Sequence, residues 1–208
     1  MTVRSDTDGR VERGQATRAE VLAVAERLFT ELGYETTSIS TVLSESGVSR
    51  GAFYHHFPSK EALFETVLES VETRVEETLR AAAAKESDPV DAIRAGCRAW
   101  LSLAGDPTVL RITLTDAPSV VGWSRWREID EQHGFGLLVA GLRATGRFPD
   151  ELVHPVAHML LAATLEAALL VARAGPRSKA AASARAGVEE LLDRVLAAKD
   201  QPRAGSGP

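Results

Sequence analysis

The sequence predicts an all-α chain, and three observations carry that expectation. Apolar residues recur at spacings of three and four, and no segment alternates with the period of two that a strand needs. Ala, Leu and Glu are abundant while aromatic residues make up only 5%, a mix that favours helix over sheet. Helix punctuation is frequent: Ser, Thr or Asp before apolar runs, Asp-Pro pairs, and glycines where the runs stop. With 44% hydrophobic and 25% charged residues the chain has the composition of a folded globular protein. Its 208 residues suit a small module joined to a larger domain.

The elements follow in order, about nine helices in all. Residues 1–13 are polar and read as a loose tail. A helix begins at Thr17, where Glu20 completes a capping-box pattern; Val21, Ala25, Leu28, Phe29 and Leu32 form its apolar stripe, and Gly33 ends it. A short helix follows Ser38 as N-cap, turns Ile39, Val42 and Leu43 inward and stops at Gly47. A third opens at Ser49 and must end at Phe57, because Pro58 cannot extend the hydrogen-bond ladder. Ser59 caps a long fourth helix with Leu63, Val67, Val71 and Val75 four apart. Asp88-Pro89 and Asp106-Pro107 each place proline just inside a helix start, giving helices from Pro89 to about Leu103 and from Pro107 to about Thr115. A long helix after Pro118 reaches about Thr145, and two more cover about 154–174 and 178–198. Residues 199–208 read as a second loose tail.

Several function classes are disfavoured. A lone cysteine, Cys97, permits neither an internal disulfide nor a Cys-rich zinc site and suits a reducing compartment. No run of about 18 residues is apolar and free of charge, so no membrane-spanning helix is expected, and the N-terminus lacks an apolar leader; the expected location is the cytoplasm. His154 and His158 are four apart, but no HExxH glutamate accompanies them, and no metal site or other cofactor is expected. Neither a glycine-rich phosphate loop nor a Gly-x-Ser-x-Gly elbow occurs, and no enzyme activity is expected. The formal charge of −5 argues against indiscriminate nucleic-acid binding.

One stretch opposes that last point locally. From Thr36 to Lys60 the sequence reads TTSISTVLSESGVSRGAFYHHFPSK, two short helices around a Gly47-Val48 turn with the proportions of a helix-turn-helix. Phe53 and Phe57, four apart, face one side. Arg50, Gly51, Tyr54, His55 and His56 are left on the other, a composition poorly explained by packing. Arg50 suits guanine O6 and N7; Gly51 and Ala52 allow close approach to a groove floor; Tyr54, Lys60 and the helix starts at Ser38, Ser49 and Ser59 suit phosphate oxygens. Between Ser38 and Lys60 the charged residues are Arg50, Lys60 and Glu45, a weakly positive patch.

GVSRGAFYHHFPSKEALF closely resembles the signature of the TetR family of transcriptional regulators, and ATRAEVLAVAERLFTELGYETTSIS resembles the family's first helix and its entry into the second. The resemblance covers about residues 14–75. It implies a three-helix DNA-binding domain over 14–75 and a larger helical domain over 76–198 that binds an effector and dimerises. It implies phosphate and base contacts at Ser38 and Ser40, groove contacts at Arg50, Gly51, Ala52, His55 and His56, and phosphate clamps at Tyr54 and Lys60. Ser40 stands where many members carry Arg or Lys, and Thr41 where an acidic residue is usual. The expected partners are a palindromic double-stranded operator, a second copy of the chain and a small-molecule effector; repression is the family's commoner mode.

The helix around Met159–Ala172 is apolar nearly all round and needs cover on both sides, so it is expected, with the 178–198 helix, to form the dimer seam. Trp100, Trp123, Trp126, Phe135 and Met159 are the expected apolar walls of an effector pocket, with Arg111, Asp116, His133 and Glu166 as polar anchors.

Overall fold

The structure is a computed structural model and describes residues 4–197, with side chains from Gly14 onward. Among the described residues it is helical throughout, with no strand: α1 (Arg4–Leu32), α2 (Ile39–Ser46), α3 (Arg50–His56), α4 (Lys60–Ala83), α5 (Pro89–Leu103), a π-helix π1 (Val109–Asp116), α6 (Ala117–Val120), α7 (Trp123–Asp130), a second π-helix π2 (Glu131–Phe135), α8 (Gly136–Thr145), α9 (Asp150–Ala174) and α10 (Lys179–Val195). Since π1 runs into α6, and α7 through π2 into α8, these make nine continuous rods, the all-α plan expected.

The starts and stops mostly obey the local chemistry. Ser38, Ser49, Asp88 and Ser178 cap α2, α3, α5 and α10 by accepting backbone N–H groups, and the Ser59 hydroxyl accepts from Ala62 N–H at 3.0 Å. Gly47 ends α2 in the left-handed region at φ 67°. Helix α1 departs from the expectation. It begins at Arg4, so residues 4–13 are helix rather than tail, and Thr17 lies inside the helix where no capping box can form. No proline interrupts residues 4–16, so nothing in the backbone forbids the helix. Residues 1–3 and the expected tail 199–208 lie outside the described residues.

The second departure follows Asp106. The expected short helix is wound with i→i+5 bonds as π1, and Pro118 sits inside the single turn α6 instead of opening a long helix. Gly122, at φ 82°, separates α6 from α7. Helix α9 also starts at Asp150, one turn earlier than expected, and Pro155 lies inside it. By length and composition alone α9 is apolar enough to cross a membrane, but 44% of its most apolar window is buried within the protein.

The chain divides into two compact units, Met1–Arg74 with Asp106–Ile129, and Val75–Gly105 with Asp130–Pro208. The division falls within α4, and residues 106–129 group with the N-terminal unit. In that unit Leu28, Phe29, Val42, Phe53, Phe57, Leu63 and Phe64 are buried, each contributing about 1.5–3 kcal/mol. Phe29 and Phe64 meet edge to face at 5.2 Å, and Tyr34 meets Phe64 likewise. In the other unit α9 pairs with α10, and α5 packs against α8, α9 and α10, burying Ile93, Trp100, Leu142, Leu160 and Leu192.

Candidate nucleic-acid interface

Helix α3 is seven residues long, too short to be stable alone, and two anchors hold it. Phe53 and Phe57 sink into the core with relative exposures of 0% and 2%. At its start the Ser49 hydroxyl accepts Ala52 N–H at 3.3 Å. Burying that side forces the other outward. Arg50, Gly51, Tyr54 and His55 are exposed, Ala52 and His56 half-buried.

Arg50 makes no ion pair with any described residue; its guanidinium lies 5.9 Å from the Tyr54 ring centre, a cation–π contact between residues four apart. A Cβ added at Gly51 would meet nothing within 4 Å, so this glycine leaves open space on the flank. The His55 and His56 rings meet edge to face at 5.1 Å. His56 leans towards α1, with its Cε1 3.9 Å from the place a Cβ of Gly14 would take. An exposed cation, phenol and imidazole on a rigid two-turn rod offer donors and stacking faces matched to phosphates and base edges.

The start of α2 carries a hydroxyl cluster. Ser38 Oγ lies 2.6 Å from Ser40 Oγ and 2.8 Å from Thr41 Oγ1, and accepts Thr41 N–H at 3.0 Å. Thr41 stands where a capping-box carboxylate would accept the N-cap N–H, but its hydroxyl meets the Ser38 hydroxyl instead. Ser38 and Ser40 are both exposed. Glu45, the one acidic residue of this face, is neutralised by Arg27 of α1.

Lys60 is employed inside the protein. Its ammonium donates to Tyr34 O at 2.9 Å and Thr37 O at 3.1 Å, and lies 4.0 Å from the Tyr34 ring centre. Burial pushes the Tyr34 phenol above its ordinary value, with Glu61 and Glu35 adding to the shift.

The residues expected to line an effector pocket are divided between the two units. Trp100 is buried and donates Nε1–H to Thr164 O at 3.2 Å. Trp126 is buried in the N-terminal unit; its Nε1–H, like the Thr113 hydroxyl, has no hydrogen-bond partner among the described residues. Trp123 is 64% exposed, stacked edge to face on Trp126. His133 Nδ1 lies 3.1 Å from Glu76. Burial alone would raise the Glu76 carboxyl, but the bonds from His133 and Arg80 outweigh it and hold the group low. Met159 is 63% exposed and Glu166 is exposed too, so neither faces the interior of its own unit. Arg111 reaches the end of α1 instead, a role sequence reasoning missed; the only signal for it was Gly33.

Burial, reinforced by Glu189, pushes the Cys97 thiol up to about 12 despite Arg94 and Arg98. Among the described residues no group of three His, Cys, Asp or Glu side chains is placed to hold a metal ion.

Comparison with known proteins decides what this arrangement is. Residues 21–67 match the model of the bacterial regulatory proteins of the tetR family, and residues 90–195, about half the chain, match the tetracyclin repressor-like C-terminal domain. The chain belongs to the TetR family of transcriptional regulators. It is 37% identical over 84 residues to the HTH-type transcriptional regulator AcrR of Shigella flexneri, covering 40% of this chain and 39% of that one. It is 34% identical over 84 residues to the regulator TtgR of Pseudomonas putida, covering 40% of each. The aligned part thus spans about two fifths of these relatives. A TetR-family regulator from Pectobacterium atrosepticum superposes with a TM-score of 0.77 at 29% identity, over 89% of this chain and 97% of that structure.

Proposed function

We propose that this TetR-family regulator is a cytoplasmic repressor that binds a palindromic operator as a homodimer and is released by a small-molecule effector. The observation that carries the reading is the division of α3. Phe53 and Phe57 are buried while Arg50, Tyr54 and His55 stand exposed, the arginine making no ion pair among the described residues. In this reading α3 enters the major groove, Arg50 reads a guanine, and Gly51 and Ala52 allow the backbone close to the base edges. Ser38, Ser40, Ser49, Tyr54, His55, His56 and the remaining donor of Lys60 meet phosphates and base edges.

A rod of two turns buries too little to find one genomic site, so two copies must read together. The exposed face of α9 supports a seam. Leu152 is 46%, Met159 63% and Leu170 47% exposed, and Leu152, Met159 and Glu166 recur at sevens, the spacing of a helix–helix contact. Helix α10 flanks it. For the effector, Trp126 Nε1–H and the Thr113 hydroxyl are buried donors that a small molecule with a hydrogen-bond acceptor would satisfy. Helix α4, which passes from one unit to the other, would carry the response.

The test is selection of bound sequences from random duplexes, followed by mobility-shift titration. The expected result is a two-fold symmetric motif whose affinity drops with Arg50→Ala. Equal binding to selected and scrambled duplexes overturns the reading.

A further inference from the structure

The turn between α9 and α10, within the second unit, carries positive charge without counterions. From Ala167 to Val188 the sequence contains Arg173, Arg177, Lys179 and Arg185 and no Asp or Glu, in a chain of net charge −5. Arginines elsewhere in the same unit meet carboxylates: Arg80 pairs with Glu76, Arg98 with Glu189 and Arg143 with Asp150. Arg173, Arg177 and Lys179 are exposed and make no ion pair among the described residues. Residues 198–208 add Lys199, Arg203 and Asp200, so they bring no net negative charge to offset the stretch.

The backbone beneath these cations is fixed. Ser178 N–H donates to Gly175 O at 3.1 Å, and Ser178 Oγ accepts Ala181 N–H at 3.0 Å to cap α10. Arg185 reaches back to donate to Pro176 O at 2.9 Å. Pro176 packs on Gly105, where an added Cβ would lie 3.1 Å from the proline Cβ. Arg173, in the last turn of α9, suits the dipole of that helix. Lys179 opens α10, whose first turn holds no acidic residue; a cation there opposes the dipole, and an anion beside it relieves both.

The residues between the charges select the partner. They are Ala, Gly, Ser and Pro, and no large hydrophobic side chain is exposed between 171 and 197. A protein interface is built around an apolar or aromatic core, and a helix lying on a membrane needs large apolar anchors. A phosphate backbone needs only cations and room to approach. The family is one of DNA-binding regulators, and the reading stretch of this member is poor in free cations: of Arg50 and Lys60, Lys60 already donates to Tyr34 O and Thr37 O.

We propose that the α9–α10 turn is a second DNA contact, a sequence-blind surface on which Arg173, Arg177 and Lys179 meet the phosphate backbone of duplex DNA. It goes beyond operator reading by α3 and does not depend on it, because backbone contacts carry no sequence information.

The experiment titrates the full-length protein across salt with a random-sequence duplex and with its selected operator. A triple variant, Arg173→Gln, Arg177→Gln and Lys179→Gln, is compared with a control of equal charge, Arg80→Gln, Lys85→Gln and Arg143→Gln, whose side chains are exposed elsewhere in the same unit. Loss of the three contacts should flatten the salt dependence of log affinity by about 3. The deficit of the triple variant against wild type should therefore shrink by about 40-fold between about 50 and about 200 mM salt, equally on both duplexes, while the control keeps the wild-type slope. A photoreactive maleimide on Arg177→Cys should cross-link to the random duplex and one on Lys85→Cys should not; Cys97 is buried. If the triple variant does not fold, the cross-link carries the test. A triple variant with the wild-type slope, a control that loses as much, or no cross-link from position 177 overturns the proposal. So does a triple variant whose oligomeric state changes without DNA, since the surface then serves contact between copies. Failure of operator reading gives a different result: wild type binds selected and random duplexes equally, while the triple variant still loses affinity for both.

Discussion

Arg50 and Phe53, three residues apart on one short helix, are expected to fail in opposite ways. Arg50 is exposed and, among the described residues, makes no ion pair beside its contact with the Tyr54 ring, so Arg50→Ala should leave stability within about 0.5 kcal/mol. It should cost about 1–3 kcal/mol of discrimination at one base pair. Phe53 is fully buried, and Phe53→Ala should lower stability by about 3–5 kcal/mol, abolishing binding to all sequences because α3 loses its seat. Thermal melts beside mobility shifts separate the two, and an Arg50→Ala protein that reads its operator unchanged removes α3 from the groove. Cys97 supplies a pH-dependent case. Its folded thiol is held up to about 12 against an ordinary 9.0, so the unfolded chain ionises first as pH rises, and this group's contribution to stability falls above about 9. The native thiol should be inert to an aromatic disulfide reagent at pH 8 and react only at the rate of unfolding; fast labelling of native protein contradicts its burial.

Gly47 links the residues to the element they terminate. It lies at φ 67°, and a Cβ there would meet nothing within 4 Å, so Gly47→Ala carries backbone strain alone, about 1–2 kcal/mol. Gly47→Asn should cost less, since asparagine tolerates this region. The chevron or melting midpoint measures the difference, and equal stability of all three proteins would mean the α2–α3 turn is not fixed by this conformation. The helix-turn-helix was legible in the sequence because its signals are local: Ser38 and Ser49 as caps, Gly47 as stop, Pro58 as breaker, and phenylalanines four apart. The region after Asp106 was not. Pro107 and Pro118 each suggest a helix start, but a π-turn has no residue signature of its own, and tertiary bonds of Arg111 and Asp116 to the end of α1 are what accompany it here. Residues 4–13 misled for another reason: a polar run lacks the apolar period that announces a helix, yet nothing in it forbids one. The side-chain roles of Lys60 and Arg111 were illegible because a cation's partner depends on which carbonyl or carboxylate the fold brings near.

At the scale of the whole molecule the question is how a chain of net charge −5 selects one DNA site. A dimer doubles that charge, so the nonspecific attraction that counterion release provides is weak, and selectivity has to come from two reading heads acting at once. Linking two modest contacts raises overall affinity by about 10²–10⁴ when the geometry matches. In the proposed dimer the link is the exposed stripe of α9, where each substitution would appear twice across a two-fold axis. Met159→Glu sets a carboxylate one heptad from Glu166, at a position 63% exposed in the single chain, so the fold itself should be spared. The variant is expected to be monomeric by light scattering, to melt close to wild type, and to lose about 10²-fold or more in operator affinity while its affinity for an isolated half-site is unchanged. A Met159→Glu protein that stays dimeric and binds the operator normally would place the seam elsewhere on the molecule. One that becomes monomeric yet keeps full operator affinity would mean that a single α3 suffices, and the need for a palindrome would disappear.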